Sequence, residues 1–227
     1  MAFSKKRLVA IIPVKEKSER VPEKNFRKFS DNGDSLLDIT INKLSRLENL
    51  DYIYISTDKE GLDFSDNKNL SVIKRDKSFC NNVTPWSDVI FNIANSIPEK
   101  DDTSILWVHT TTPLFDFYGE AIEKYLSLDN DNYNSLVAVE KSQEFLIDNK
   151  GRPINYMYGV WHKYSQDLPE LYKITGALFI NNLKAIKDNK YVIGTKPYLF
   201  GVPPQFCLDI DHLWQFELAQ IMYRNLS

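Results

Sequence analysis

Leu8-Val9-Ala10-Ile11-Ile12 is a continuous apolar run that stops at Pro13 and enters a charged loop, the pattern of a strand buried on both faces. Leu36, Leu37, Thr40, Ile41, Leu44 and Leu47 then keep one stripe at helical spacing, with Asp34 or Ser35 placed to cap it. Tyr52 to Ile55 and Leu70 to Ile73 are short β-rich runs, and Ser56-Thr57-Asp58 after the first reads as the cap of a following helix. Thr84-Pro85 predicts a helix start, a capping hydroxyl followed by proline at the first helical position, before Trp86, Val89, Ile90, Ile93 and Ile97. Ile105 to Val108 is the most apolar strand, a helix follows from about Tyr118 to Leu128, and Leu136 to Val139 makes a fifth strand. Between Glu140 and Tyr172 the alternation breaks into short pieces rich in aromatics (Phe145, Tyr156, Tyr158, Trp161, Tyr164), which predicts a β-rich insertion. The pattern resumes at Ala177 to Ile180 and closes with a strand end at Leu208-Asp209-Ile210-Asp211 and a helix carrying Leu213, Phe216, Leu218 and Ile221.

Strands alternating with helices predict an α/β fold, a mostly parallel sheet with helices on both faces, as one domain over residues 1–227 with the insertion at 140–172 inside it. In such sheets ligands sit beyond the carboxyl ends of the strands. That rule gathers Val14 to Arg27, Ser56 to Asp58, His109 to Pro113 and Asp209 to Asp211 around one crevice. Composition narrows the classes: 43% hydrophobic and 26% charged residues are those of a globular chain. A net charge of −3 argues against a nucleic-acid surface, and no run approaches the length that crosses a membrane. Cys80 and Cys207 have neither metal-binding spacing nor the numbers for a disulfide framework, which makes a cytoplasmic setting the expectation.

Two segments carry candidate chemistry. The loop from Ile12 to Asn25 holds Lys15, Lys17, Arg20 and Lys24 after the first strand, where cations and free amides can cradle a polyphosphate; a solvated surface loop has the same composition. In Asp209-Ile210-Asp211, residues two apart share a side, so both carboxylates face the crevice as Mg²⁺ beside nucleotide phosphates requires. Against that, Asp211 precedes an apolar helix and has the residue type of an N-cap. Neither a Walker loop, a G-x-G-x-x-G, a G-x-S-x-G elbow nor a His-x-x-x-His pair is present.

In this order the segments resemble the acylneuraminate (CMP-sialic acid) cytidylyltransferase family. Its opening I-P-A-R-x-G-S-K-x-x-P-x-K-N is matched at Ile12-Pro13, Ser18, Pro22, Lys24 and Asn25; its S-T-D at Ser56-Thr57-Asp58; its Q-P-T-S-P-L, altered, at His109 to Leu114. Its sugar-side stretch is echoed by Leu168-Pro169, Tyr172-Lys173 and Gly176 to Phe179, and its D-I-D is Asp209-Ile210-Asp211. The resemblance implies a Rossmann-like nucleotidyltransferase fold and a Mg²⁺-dependent reaction of CTP with an acidic sugar, giving a CMP-sugar for a surface polysaccharide and pyrophosphate. It implies catalytic roles for Lys24, Asp209 and Asp211, the two aspartates binding the metal. Pro13, Val14, Lys15, Ser18, Asn25 and Arg75 would contact the nucleotide, and His109, Thr112, Lys173 and Phe179 the sugar. It also implies that the insertion joins a homodimer.

Departures from the family pattern bear on the acid. Lys15 stands for an arginine, Glu16 and Lys17 for the family's adjacent glycines, His109 for a glutamine, Phe115, Lys173 and Ser165 for arginines, and Thr175 for an asparagine. Because those arginines read a substrate carboxylate, their replacement points to an acid other than an ordinary nonulosonate. Two other readings stay open: a nucleotide-sugar glycosyltransferase using the D-x-D, and a binding module that kept the fold and lost the chemistry.

Overall fold

The computed structural model describes residues 6–226. Seven strands, β1 (Leu8–Pro13), β2 (Tyr52–Thr57), β3 (Leu70–Lys74), β4 (Ser104–Val108), β5 (Ser135–Ser142), β6 (Leu171–Asn182) and β7 (Pro197–Gly201), form one sheet in the order β3-β2-β1-β4-β6-β5-β7. Only β6 runs against its neighbours. Five helices accompany them: α1 (Leu36–Leu44), α2 (Trp86–Ser96), α3 (Tyr118–Leu126), α4 (Leu183–Asn189) and α5 (Leu213–Leu226).

The apolar run of β1 is continuous because both faces of the strand are covered. Leu8, Ala10 and Ile12 pack with Leu37, Ile41 and Leu44 of α1 and Tyr118, Ala121 and Ile122 of α3. Val9 and Ile11 face the other way, onto Val89, Ile90 and Ile93 of α2 and Leu183 and Ile186 of α4. A third cluster joins α5 to the loop after β1: Val21, Phe29 and Ile210 meet Leu36, Ile39, Phe216 and Ala219. Ser35 caps α1 in a reciprocal capping box with Asp38, a device worth about 1 kcal/mol.

Several local expectations are corrected. No helix follows Ser56-Thr57-Asp58; Ser56 and Thr57 belong to β2, and residues 58–69 form loops and turns. Pro85, with ψ near 136°, is the N-cap of α2 rather than its first helical residue, and the Thr84 hydroxyl donates to the Ser78 carbonyl instead of capping. Leu208 to Asp211 is not a strand; its backbone meets the loop after β4 through the Ile210 N–H, which donates to the Thr111 carbonyl. α4 and β7 escaped the sequence pattern, one being short and the other opening on Pro197 with no fully buried residue. Across Glu140 to Tyr172 the ladder structure is the paired ends of β5 and β6 plus one bridge, Ile147 with Pro153; turns and two single-turn 3₁₀ helices make up the rest. Among the described residues no helix is long and apolar enough to cross a membrane.

Candidate active site

β1 and β4 are adjacent and parallel, and the chain leaves them toward opposite edges of the sheet, so their carboxyl ends open a crevice at the switch in strand order. A cleft of about 620 Å³ lies there, walled by the loop after β1 (Pro13 to Asn25), the loop after β3 (Arg75 to Trp86), His109 to Thr111 after β4, and Asp209 with Asp211. Three of the four anticipated loops meet in it. The fourth, Ser56 to Asp58, stands behind: the Asp58 carboxylate accepts the Glu16 N–H at 2.8 Å and so fixes the turn of the β1 loop.

Other groups complete that loop's shape. Arg75 is buried and donates to the Val14 carbonyl at 2.7 Å, while its Nε lies 3.0 Å from Cys80 Sγ. Asn25 spends both ends of its amide within the protein, donating to the Lys15 carbonyl at 3.2 Å and accepting from the Thr110 hydroxyl at 2.8 Å. Val21 anchors the far end by burying itself with Ile210 and Phe216. This contact brings the two candidate segments together across more than 180 positions of sequence.

Lys24 and the aspartates form the floor. The Lys24 ammonium donates to the Ile210 carbonyl and lies 3.9 Å from Asp211. Burial lowers its pKa, against the pull of Asp211 and Asp209. Burial likewise pushes the Asp209 carboxyl above the usual carboxylate range, while a hydrogen bond with Thr111 opposes the rise. Asp209 Oδ1 is buried with no hydrogen-bond partner. The Asp211 carboxylate accepts from Arg20 at 2.6 Å. It does not cap α5: the Gln215 side chain turns back to accept the Asp211 and His212 N–H groups, which removes the capping explanation for this aspartate.

This arrangement fits Mg²⁺. Mg²⁺ takes hard oxygen ligands, commonly one or two carboxylates together with substrate phosphates and waters. Two carboxylates separated by one residue line the same cleft, and one of them carries a bare buried oxygen. Among the described residues there is no cluster of three or more His, Cys, Asp or Glu that could hold a metal ion.

His109 closes the inner wall. Its Nε2 accepts from Trp107 Nε1 at 3.2 Å, and its Nδ1–H faces the Gly176 carbonyl, so the ring is tied on both sides. Gly176 has φ of +76°, a conformation that favours glycine, where β6 slips register against β5. Burial, then the charge of Lys24, lowers the His109 pKa to about 4. Since the unfolded chain takes up this proton near pH 6.5 and the folded one near 4, stability falls as pH drops through that window. We expect urea unfolding to show about 3 kcal/mol lost between pH 6.5 and 4, and His109→Gln to flatten that slope. An unchanged slope in the variant would place the proton elsewhere.

The remaining expected residues scatter. Pro13, Lys15 and Ser18 line the cleft, with Lys15 donating to Asn82 Oδ1 at 2.6 Å across its mouth. Val14 is buried beneath the loop, Thr112 is buried with its hydroxyl 3.5 Å from the His109 carbonyl, and Phe179 packs edge-on behind the His109 ring. Lys173 is exposed on β6, 3.4 Å from Glu140, outside the cleft wall. Phe115 is in the core against Phe117 and Tyr118 and does not face the cleft. Sequence reasoning did not single out Arg20, or Phe79, Asn81, Asn82 and Trp86 after β3. The six-to-three excess of cations in the β1 loop signalled Arg20 only as one of several.

The cytidylyltransferase family model matches residues 9–152, more than half of the chain. The chain belongs to the cytidylyltransferase family. An N-acylneuraminate cytidylyltransferase of Streptococcus agalactiae serotype V is 28% identical over 211 residues, covering 89% of this chain and 50% of that protein, so the chain spans half the length of its streptococcal relative. A pseudaminic acid cytidylyltransferase of Campylobacter jejuni is 24% identical, covering 95% of this chain and 96% of that one. In fold, the chain is similar to 2-C-methyl-D-erythritol 4-phosphate cytidylyltransferase of Francisella tularensis, with TM-score 0.67, 14% identity and coverage of 95% and 99% of the two chains. It is also similar to a CMP:2-keto-3-deoxy-manno-octonic acid synthetase solved with CTP, with TM-score 0.64, 9% identity and coverage of 97% and 100%. The Rossmann-like nucleotidyltransferase fold expected from the motif order is the fold observed.

Proposed function

We propose that this cytidylyltransferase condenses CTP with an acidic sugar, releasing pyrophosphate, with Mg²⁺ held by Asp209 and Asp211. The observation that carries the reading is the cleft floor at the carboxyl ends of β1 and β4, where a desolvated Lys24 donates to the Ile210 carbonyl, 3.9 Å from Asp211 and within the field of Asp209. The sugar hydroxyl attacks the α-phosphorus of CTP; a P–O bond to the sugar forms as the bond to the bridging oxygen of pyrophosphate breaks. The hydroxyl proton leaves toward the carboxylate pair. Lys24 offsets charge that builds on the phosphate oxygens, and it is pre-positioned because Ile210 holds its ammonium before substrate arrives. Bound Mg²⁺ would supply further charge neutralisation at the phosphates.

The carboxylate of the sugar meets a wall without the family's arginines. Phe115 is committed to the core, and Lys173 is paired with Glu140. This supports an acid other than an ordinary nonulosonate. The segment from Glu140 to Tyr172 exposes Tyr158, Val160, Trp161 and Tyr164, an apolar surface that supports a homodimer joined there. The test is pyrophosphate release from each nucleoside triphosphate across a panel of acidic sugars. One acid should give release with CTP and not with UTP. Release that needs no sugar, or that follows UTP, would contradict the proposal.

A further inference from the structure

The two carboxylates of the floor are not equivalent. Asp209 presents a bare buried oxygen, while Asp211 is held by Arg20 at 2.6 Å with Lys24 at 3.9 Å. Arg20 reaches Asp211 from the β1 loop, and its side chain is 56% exposed, so it has room to leave. Both residues line the cleft. Counted over these four side chains, two positive charges stand against two negative ones. The floor is thus balanced in the protein alone. A divalent cation arriving alone would displace Arg20 from Asp211 and leave two basic side chains facing it. A triphosphate arriving alone would bring several negative charges against Asp209 and Asp211. Each ligand supplies what the other lacks.

We propose that Arg20 is the stand-in cation for Asp211 in the free protein and is transferred to the triphosphate when metal and nucleotide bind together. Resting on the reading of Asp209 and Asp211 as metal ligands, this makes Arg20 a device that couples the loading of metal to the loading of CTP. Coupling of this kind is reciprocal: whatever factor the metal adds to CTP affinity, CTP adds to metal affinity. The position of Arg20 favours such an exchange over a fixed strut. An exposed ion pair contributes little to stability and is readily broken, whereas a guanidinium fork binds phosphate oxygens in a bidentate manner.

The experiment measures binding, not turnover. Mn²⁺ binding to the nucleotide-free protein is read from the paramagnetic resonance signal of free Mn²⁺, and CTP binding in EDTA is read by calorimetry, for wild type, Arg20→Gln, Arg20→Lys and Asp211→Asn. Arg20→Gln is expected to bind Mn²⁺ about two- to fivefold more tightly than wild type and metal-free CTP more weakly by a similar factor. Arg20→Lys, which keeps the charge, should return both values most of the way. These opposite signs are not what loss of a strut would give. If Arg20→Gln leaves Mn²⁺ affinity unchanged or weakens it while Asp211→Asn abolishes it, the exchange role of Arg20 is overturned and the metal site stands. If Asp211→Asn binds Mn²⁺ as wild type does, the metal reading fails and the exchange fails with it.

Discussion

Asp211→Ala is expected to reduce cytidylyl transfer about a thousandfold or more while leaving the protein folded. The magnitude follows from losing one of the two carboxylates proposed to hold Mg²⁺ at the phosphates, where removing a single source of charge stabilisation costs about 10²–10³ in rate. The fold survives because Asp211 holds nothing structural together. Its carboxylate is partly exposed and pairs with an exposed Arg20, an interaction worth about 0–1 kcal/mol. The start of α5 is satisfied by Gln215 instead. Gln215→Ala is therefore the complementary control, costing about 1 kcal/mol of stability with turnover little changed. Steady-state rates and urea unfolding on the two variants separate the roles. Wild-type turnover in Asp211→Ala, with stability lost there instead, would make the aspartate a structural residue.

Lys24→Ala should lower turnover by a factor of about 10² or more, against a negligible effect from Lys28→Ala four residues on. The Lys24 side chain is only 12% exposed, with its ammonium on the Ile210 carbonyl and its charge within reach of both aspartates. Lys28 is exposed and outside the cleft. Losing the lysine also leaves the Ile210 carbonyl without that donor, which costs about 1 kcal/mol; the loss of rate should far exceed what that destabilisation explains. Comparable small losses in both variants, measured as kcat/KM for CTP, would return this loop to an ordinary charged surface.

The fold was legible wherever burial imposes a period. β1 and β4 are covered on both faces and read as solid apolar runs, and α2 and α3 present single stripes to the sheet. β7 was not legible because it lies at the sheet margin, half exposed, with Pro197 at its start. For the site, spacing correctly brought Asp209 and Asp211 to one cleft, although the segment that does this is not a strand. What spacing could not reveal is long-range charge pairing. Whether Asp211 caps a helix or faces a cation depends on where Arg20 and Gln215 point. Asp58, read as a cap, holds the β1 loop for the same reason: its partner is the backbone of Glu16, 42 residues away.

The most direct test is thermal unfolding with CTP, UTP, ATP and GTP in turn, each with and without Mg²⁺, since it needs no knowledge of the sugar acid. At about 100 times its dissociation constant a ligand stabilises the native state by roughly 2.7 kcal/mol. A clear rise in Tm with CTP, enlarged by Mg²⁺ and absent with the other three nucleotides, is the predicted result. An equal or larger shift with UTP, or none with any nucleotide, would contradict it.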